Sequence, residues 1–297
     1  MQPIGCDDTT WSKGCVNKIP FCKSLFTPTC NCASLHIENN KSLVRLPSSL
    51  ADKMVGLRKV FIRNCNLTKL PPRMEQLTNM AAFQTQFNLL QTFQVDILKW
   101  TRLNDLDLSF NNISQHHDNL WLHPQLVNLF VNNNPSLRKP KKVFMPRLTL
   151  LEMSNNSIPI PELNLPAITD LYLNGNIMPQ LPNNFELWKD SLLYLGVARC
   201  GMKSLDNIDV FTKLMYLDAR NNSLASVSNE VKSLITSKKG FESYFSGNPV
   251  CNSDLELNCQ PLCTDYCWTH SGFNNGVCDH TCDSEACDFD GGDCKYG

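Results

Sequence analysis

The chain has 297 residues, of which 42% are hydrophobic and 19% charged, with 27 basic residues against 28 acidic ones and a formal net charge of −1. That is the composition of a folded protein with room for a sizeable core, and it excludes intrinsic disorder. The near-neutral balance gives no general electrostatic attraction to nucleic acid or to an anionic membrane, so any partner is read from local features.

Fifteen cysteines are gathered towards the two ends: seven lie up to and including Cys200, and eight lie between Cys251 and Cys294. Such clustering suits disulfide staples formed in an oxidising compartment, which places the protein outside the cell or at its surface. The opening MQPIGCDDTTW has neither a basic segment nor an apolar run of signal-peptide length, and no stretch has the roughly 18 apolar residues of a membrane helix. The chain therefore reads as mature, trimmed or partial, and membrane attachment would need a segment absent from it. In chain order the first feature is a group of five cysteines, Cys6, Cys15, Cys22, Cys30 and Cys32, an odd number that leaves their pairing open.

From there a pattern LxxLxLxxN recurs. LNDLDLSFN places Leu103, Leu106 and Leu108 before Asn111; LTLLEMSNN places Leu148, Leu151 and Met153 before Asn156; ITDLYLNGN places Ile168, Leu171 and Leu173 before Asn176. The last position is followed as Asn40, Cys65, Asn88, Asn111, Asn134, Asn156, Asn176, Cys200 and Asn222, ending in a degenerate copy at Asn248. Alternation with period two predicts one short strand per repeat with its leucines inward, and stability then comes from stacking neighbours. Asparagine in the last position has an amide that donates and accepts, so it can satisfy backbone groups where the chain turns inward. Cys65 and Cys200 stand in that slot and are expected to be buried free thiols, inert rather than nucleophilic. Several repeats continue as LxxLP (Leu43, Leu46, Pro47; Leu67, Leu70, Pro71; Met178, Leu181, Pro182), which predicts an irregular side of short helical turns, with one better helix over 229–239.

Period and motif together resemble the leucine-rich repeat. The resemblance implies an α/β repeat solenoid, a horseshoe with a concave parallel β-sheet, of about nine or ten repeats over 33–248. The five early cysteines resemble the N-terminal cap of extracellular members (1–32), and FSGNPVCNSDLELNCQ resembles a C-terminal cap (249–260) in which Cys251 bridges Cys259. Strand positions facing the concave side are where such solenoids bind a protein or a glycan. They carry Phe61, Asp105, Asp107, Phe130, Asp170, Tyr172, Tyr194, Tyr216, Asp218 and Arg220, a set rich in aromatic binding anchors; the bland alternative is filler among solvated neighbours.

Three other features weigh less. His116, His117, Asp118 and His123 are spaced poorly for a zinc site and fall in a connecting loop. Arg138, Lys139, Lys141, Lys142 and Arg147 read first as a solvated run and second as a dock for an acidic partner. Sequons at Asn66, Asn112, Asn155 and Asn221 fit a secreted glycoprotein, although the repeat motif itself generates them, and burial is expected to block a fifth at Asn40. No GxSxG, P-loop, HExxH or kinase signature occurs, so no enzyme is expected.

The final stretch CTDYCWTHSGFNNGVCDHTCDSEACDFDGGDC resembles a Lin-12/Notch repeat, and the resemblance implies that 261–297 is a separate small disulfide-rich, calcium-binding module. The resemblance implies pairing Cys263 with Cys287, Cys267 with Cys282 and Cys278 with Cys294, and calcium held by Asn275, Asp290 and Asp293. Independently, a segment this small needs staples or an ion. Asp279, Asp283, Glu285, Asp288, Asp290 and Asp293 occur there with no lysine or arginine up to Cys294, and hard oxygen donors favour calcium. An EF-hand is excluded, because the twelfth position from Asp288 lies beyond Gly297. The functional expectation is an extracellular recognition or adhesion module. Alternatives are the ectodomain of a membrane receptor, with a kinase beyond the chain and the calcium knot regulating proteolysis, or the recognition arm of a larger secreted protease.

Overall fold

In the computed structural model the described residues are 33–254 and 256–259. They form one right-way-stacked parallel sheet of ten short strands, in sequence order apart from four two-residue strands that lie elsewhere. The strands are β1 (Ser34–Glu38), β2 (Lys59–Arg63), β3 (Ala82–Gln84), β4 (Thr92–Phe93), β5 (Asp105–Asp107), β6 (Gln115–His116), β7 (Asn128–Phe130), β8 (Val143–Phe144), β9 (Leu150–Glu152), β10 (Leu163–Asn164), β11 (Asp170–Tyr172), β12 (Tyr194–Gly196), β13 (Tyr216–Asp218) and β14 (Glu242–Tyr244). The large sheet runs β1-β2-β3-β5-β7-β9-β11-β12-β13-β14, while β4 pairs with β6 and β8 with β10 on the opposite side.

Each three-residue strand of the large sheet buries its central residue and turns the flanking two towards the concave face, while the five-residue β1 and β2 bury their second and fourth residues and turn the other three that way. Val60, Phe83, Leu106, Leu129, Leu151, Leu171, Leu195 and Leu217 form the buried row, each contributing on the order of 1.5–3 kcal/mol that a lone repeat cannot realise. Behind it, Trp100, Trp121 and Trp188 fill the convex half and are fully buried. The indoles of Trp100 and Trp188 donate to the carbonyls of Met74 (3.0 Å) and Leu163 (3.3 Å) one repeat earlier.

The convex side is short 3₁₀ turns, such as Met74–Gln76, Ile97–Lys99, Asp118–Trp121, Phe185–Trp188 and Ile208–Val210, and a four-residue helix α1 (Leu50–Lys53). The longer helix α2 spans Asn229–Ser237, a little shorter than its sequence suggests, and is capped by Ser228, whose hydroxyl accepts from the Val231 amide.

The asparagine slots form a ladder. Asn134, with no exposed surface, donates through Nδ2 to the carbonyls of Leu108 (3.1 Å), Val131 (3.0 Å) and Asn132 (3.3 Å), and its Oδ1 accepts from the Ile113 amide at 2.9 Å. Asn88, Asn111, Asn222 and Asn248 repeat this bridging between their own and the preceding repeat. Cys65 and Cys200 occupy the same slot as buried free thiols, as the motif predicts. Their Sγ atoms reach the preceding repeat's carbonyls at Ile37 (3.9 Å) and Leu173 (3.2 Å), and burial pushes the Cys200 thiol up to about 11, away from thiolate reactivity.

The residue before every slot is left-handed, from Asn39 (φ 55°) and Asn64 (φ 50°) through Phe87, Phe110, Asn133, Asn155, Gly175, Arg199 and Asn221 to Gly247. Asparagine and glycine adopt this conformation cheaply; the bulky Phe87 and Phe110 do so at a cost in local strain. At Gly175 and Gly247 a Cβ would collide with the side-chain oxygen of Asn155 or Asn221 one repeat earlier, so glycine there answers both φ and close packing.

Candidate functional site

Three rows cross the concave face. The first, in register, is Ser34, Lys59, Ala82, Asp105, Asn128, Leu150, Asp170, Tyr194, Tyr216 and Glu242; the second is His36, Phe61, Gln84, Asp107, Phe130, Glu152, Tyr172, Gly196, Asp218 and Tyr244. The third lies two residues further on, from Glu38 and Arg63 to Arg220. Lateral neighbours 20 to 26 residues apart in sequence thus become contacts a strand spacing apart.

At the N-terminal end, Arg63 lies over the Phe61 ring, 4.9 Å from its centroid, and Phe61 meets the His36 ring at 4.5 Å. Arg63 also pairs with Glu38 (3.1 Å) and donates to Gln84, whose amide donates to Asp105 at 2.5 Å. Asp107 accepts from the amide and hydroxyl of Ser109 at 2.9 and 2.6 Å. Burial nevertheless outweighs those hydrogen bonds and pushes its carboxyl up to about 6. Phe130 follows in the same row, half-buried.

The C-terminal end is aromatic. Tyr172 leans over Gly196, where an added Cβ would stand 3.0 Å from the ring and 2.9 Å from the Asn174 amide. Tyr194, 39% exposed, lies 6.1 Å from Tyr216, and Tyr216 lies 5.6 Å from Tyr244. Burial, reinforced by Asp170 and Glu152, raises the Tyr172 phenol well above the usual range, so it stays neutral.

Two residues expected on the exposed strip are not available there. Asp218 is 1% exposed and Arg220 6%; the guanidinium forks onto the carboxylate through Nε–Oδ1 (2.8 Å) and Nη2–Oδ2 (2.6 Å). With a glycine beside Asp218 on one side and Tyr244 on the other, the pair folds down onto the sheet and spends its charge internally. Conversely, Tyr244 and Glu242 escape notice in the sequence because the last repeat, FESYFSGN, lacks leucine at its strand positions. His36, Arg63, Gln84 and Glu152 are also part of the face, and only register brings them together.

Away from this face, His116 is buried with its ring nitrogens near the carbonyls of His117 (3.2 Å) and Arg138 (3.1 Å), and His123 Nε2 lies 3.2 Å from the Trp100 carbonyl. Burial holds His123 below the usual histidine range. Among the described residues no group of three or more histidine, cysteine or acidic side chains is placed to hold a metal. Arg138 and Lys141 of the basic run both approach Asp118, at 3.7 and 2.7 Å, and the Lys141 hydrogen bond holds that exposed carboxyl below its usual range.

The sequons are unequal. Asn112 and Asn221 are exposed, Asn66 is half-buried with its amide donating to the Lys41 carbonyl (2.6 Å), and Asn155 is half-buried against Gly175. Asn40, expected to be buried, is only half-buried, because it belongs to the first strand-bearing repeat of the sheet; its Oδ1 accepts from the Ser42 amide at 3.2 Å.

After the last strand, Cys251 and Cys259 form the expected disulfide, with Cα atoms 5.7 Å apart. The remaining expected bridges (Cys263–Cys287, Cys267–Cys282, Cys278–Cys294), the ligands Asn275, Asp290 and Asp293 and the five early cysteines lie outside the described residues.

Residues 257–295 match the family model of the Notch LNR domain. A leucine-rich-repeat protein of Leptospira interrogans superposes with a TM-score of 0.56 at 19% identity, covering 70% of this chain and 59% of its own. The functional domain of InlJ from Listeria monocytogenes, which includes a cysteine ladder, superposes with a TM-score of 0.53 at 20% identity over 72% of this chain and 48% of its own. The described residues thus have the leucine-rich-repeat fold, and the segment after them matches the LNR family model. It also shows 24% identity over 180 residues, 59% of its length, to an adenylate cyclase of Schizosaccharomyces pombe, of which it spans only 10%. It spans about half to three fifths of the two solved solenoids. Leucine-rich-repeat and LNR segments are generally non-enzymatic and typical of extracellular proteins. Among the described residues no helix is long and apolar enough to cross a membrane.

Proposed function

We propose that this leucine-rich-repeat protein is a non-enzymatic extracellular recognition module that binds a macromolecular partner, protein or glycan, on its concave face. The observation that carries the reading is the aromatic cluster Tyr172, Tyr194, Tyr216 and Tyr244, drawn from two adjacent register rows on consecutive strands of the sheet and presented on one side. Rings fixed this way present large contact area at small entropic cost, the property of binding anchors. Phe61 and Phe130 extend the row of anchors along the sheet. Glycans are proposed at the exposed Asn112 and Asn221, which lie at the turn beyond the strands and leave the row open.

The test is to select binders for the chain from a displayed peptide library and a glycan array in parallel, then to repeat the measurement with Tyr194→Ala and Tyr216→Ala. Affinity for the selected binders should fall on the order of 10-fold or more, the effect of losing about 1.4 kcal/mol or more at an anchor, with the melting temperature little changed. Binders indifferent to both substitutions would remove the concave face from the reading.

For the LNR segment we propose that Asn275, Asp290 and Asp293 hold calcium; all three are hard oxygen donors, in a stretch whose acidic residues have no cationic neighbour before Cys294. Calcium would supply a cross-link in a segment too small for a core of its own. Chelation is expected to speed amide exchange across 261–297 and to leave 33–248 as it was. Equal exchange with and without chelator would count against the ion.

A further inference from the structure

The solenoid is electrically two-sided. On the concave rows Glu38 is matched by Arg63, and Asp218 by Arg220. Beyond those pairs the rows hold Asp105, Asp107, Asp170 and Glu242, against Lys59 as their remaining lysine or arginine. Basic residues gather elsewhere instead: Arg102 and Arg147 stand just ahead of the strands, and Arg138, Lys139, Lys141 and Lys142 lie on the convex side before β8. The near-zero net charge of the whole chain conceals this separation.

An inward-curving surface of one sign concentrates the opposite sign in front of it. Here the carboxylates sit among tyrosines, and both groups attract the same chemistry. Carboxylates accept the guanidinium fork, and aromatic faces attract ammonium and guanidinium ions. Asp170 and Glu242 flank the two exposed-row tyrosines, Tyr194 and Tyr216, along one register row. Sulfated or sialylated glycans would meet repulsion on this surface, whereas the convex basic run would suit them.

We propose that the concave face takes a lysine- and arginine-rich protein segment, with Asp105, Asp170 and Glu242 supplying charge and Tyr194 and Tyr216 supplying the ring faces. The proposal rests on the concave face being the binding surface and adds the class of partner.

The test uses the full chain and three labelled probes: a twelve-residue peptide alternating lysine or arginine with serine, its glutamate counterpart, and a heparin-derived oligosaccharide. The cationic peptide should bind at least ~10-fold tighter than the acidic one at ~0.15 M salt and weaken as salt rises, since the screening length shrinks from about 8 Å. Combined Asp105→Asn, Asp170→Asn and Glu242→Gln should weaken it by ~10-fold or more, and exposed Glu242→Gln alone should weaken it measurably without any burden on folding. Replacing Arg138, Lys139, Lys141 and Lys142 by serine should leave it unchanged. Binding of the acidic peptide or the oligosaccharide that is lost on the concave substitutions would overturn the partner class. Binding of any probe that responds to Tyr194→Ala but not to charge removal would also overturn it while preserving the recognition reading. Cationic-peptide binding indifferent to both charge and tyrosine substitutions would overturn both.

Discussion

Arg220→Ala lowers the stability of the solenoid by about 3–5 kcal/mol, because it leaves the Asp218 carboxylate buried without its counter-ion. Asp218 is almost fully covered and its two oxygens are engaged by Nε and Nη2 of the same guanidinium; deleting the fork strands a charge where water cannot reach it. For a unit of this size the melting temperature should drop by about 10 °C. Asp218→Asn should also destabilise, since it takes from the buried guanidinium the carboxylate onto which it forks. Replacing both, Asp218→Leu with Arg220→Met, should recover most of the loss, as neutral side chains of similar bulk remove the charge problem altogether. The check is thermal and urea unfolding of the three variants. A single mutant that melts within about 2 °C of the wild type would show that the pair is hydrated and contributes little, as exposed pairs such as Glu38–Arg63 do.

Asn134→Ala is expected to cost about 2–4 kcal/mol. Its amide serves three carbonyls and one backbone amide on two successive repeats, and alanine satisfies none of them. The substitution also removes a rung between neighbours, so amide exchange should accelerate on both sides of repeat 134 before it does so at the ends of the stack. Asn134→Cys should fall between alanine and wild type. Cys65 and Cys200 show how: a thiol in the slot still reaches the preceding repeat's carbonyl but has no oxygen with which to accept an amide. At Cys200 the corresponding amide, that of Met178, turns instead to the backbone carbonyl of residue 200 at 2.9 Å. A cysteine variant as unstable as the alanine variant would mean that the acceptor, not the donor, dominates the rung.

The pairing of charge and tyrosine on the concave face shows how unequally the site was legible. Phe61, Phe130, Tyr172, Tyr194 and Tyr216 could be placed by counting along each LxLxx unit, since a strand alternates faces with period two. Counting also listed Asp218 and Arg220 among exposed positions, and there it failed. Whether a residue on the outer face meets water depends on what lies beside it, and the strands beside Asp218 come from segments about 24 residues away, with Gly196 and Tyr244 as its register neighbours. Tyr244 and Glu242 were lost for the opposite reason, because FESYFSGN keeps the geometry of a repeat while abandoning its leucines.

By itself the sequence determined the number and phase of the strands, the inward row, the ladder with its two cysteine rungs, and the Cys251–Cys259 staple, because each follows from a local period or a short spacing. The tertiary structure decided what those local rules do not contain. It set the row of left-handed residues before every slot, which holds even Phe87 and Phe110 in a conformation that asparagine and glycine adopt more cheaply. It formed the two extra strand pairs on the convex side. It also separated an acidic, tyrosine-bearing concave face from a basic back. A repeat sequence states which way each side chain points from its own strand; what that side chain meets is set by lateral neighbours one repeat away, and only stacking brings them together.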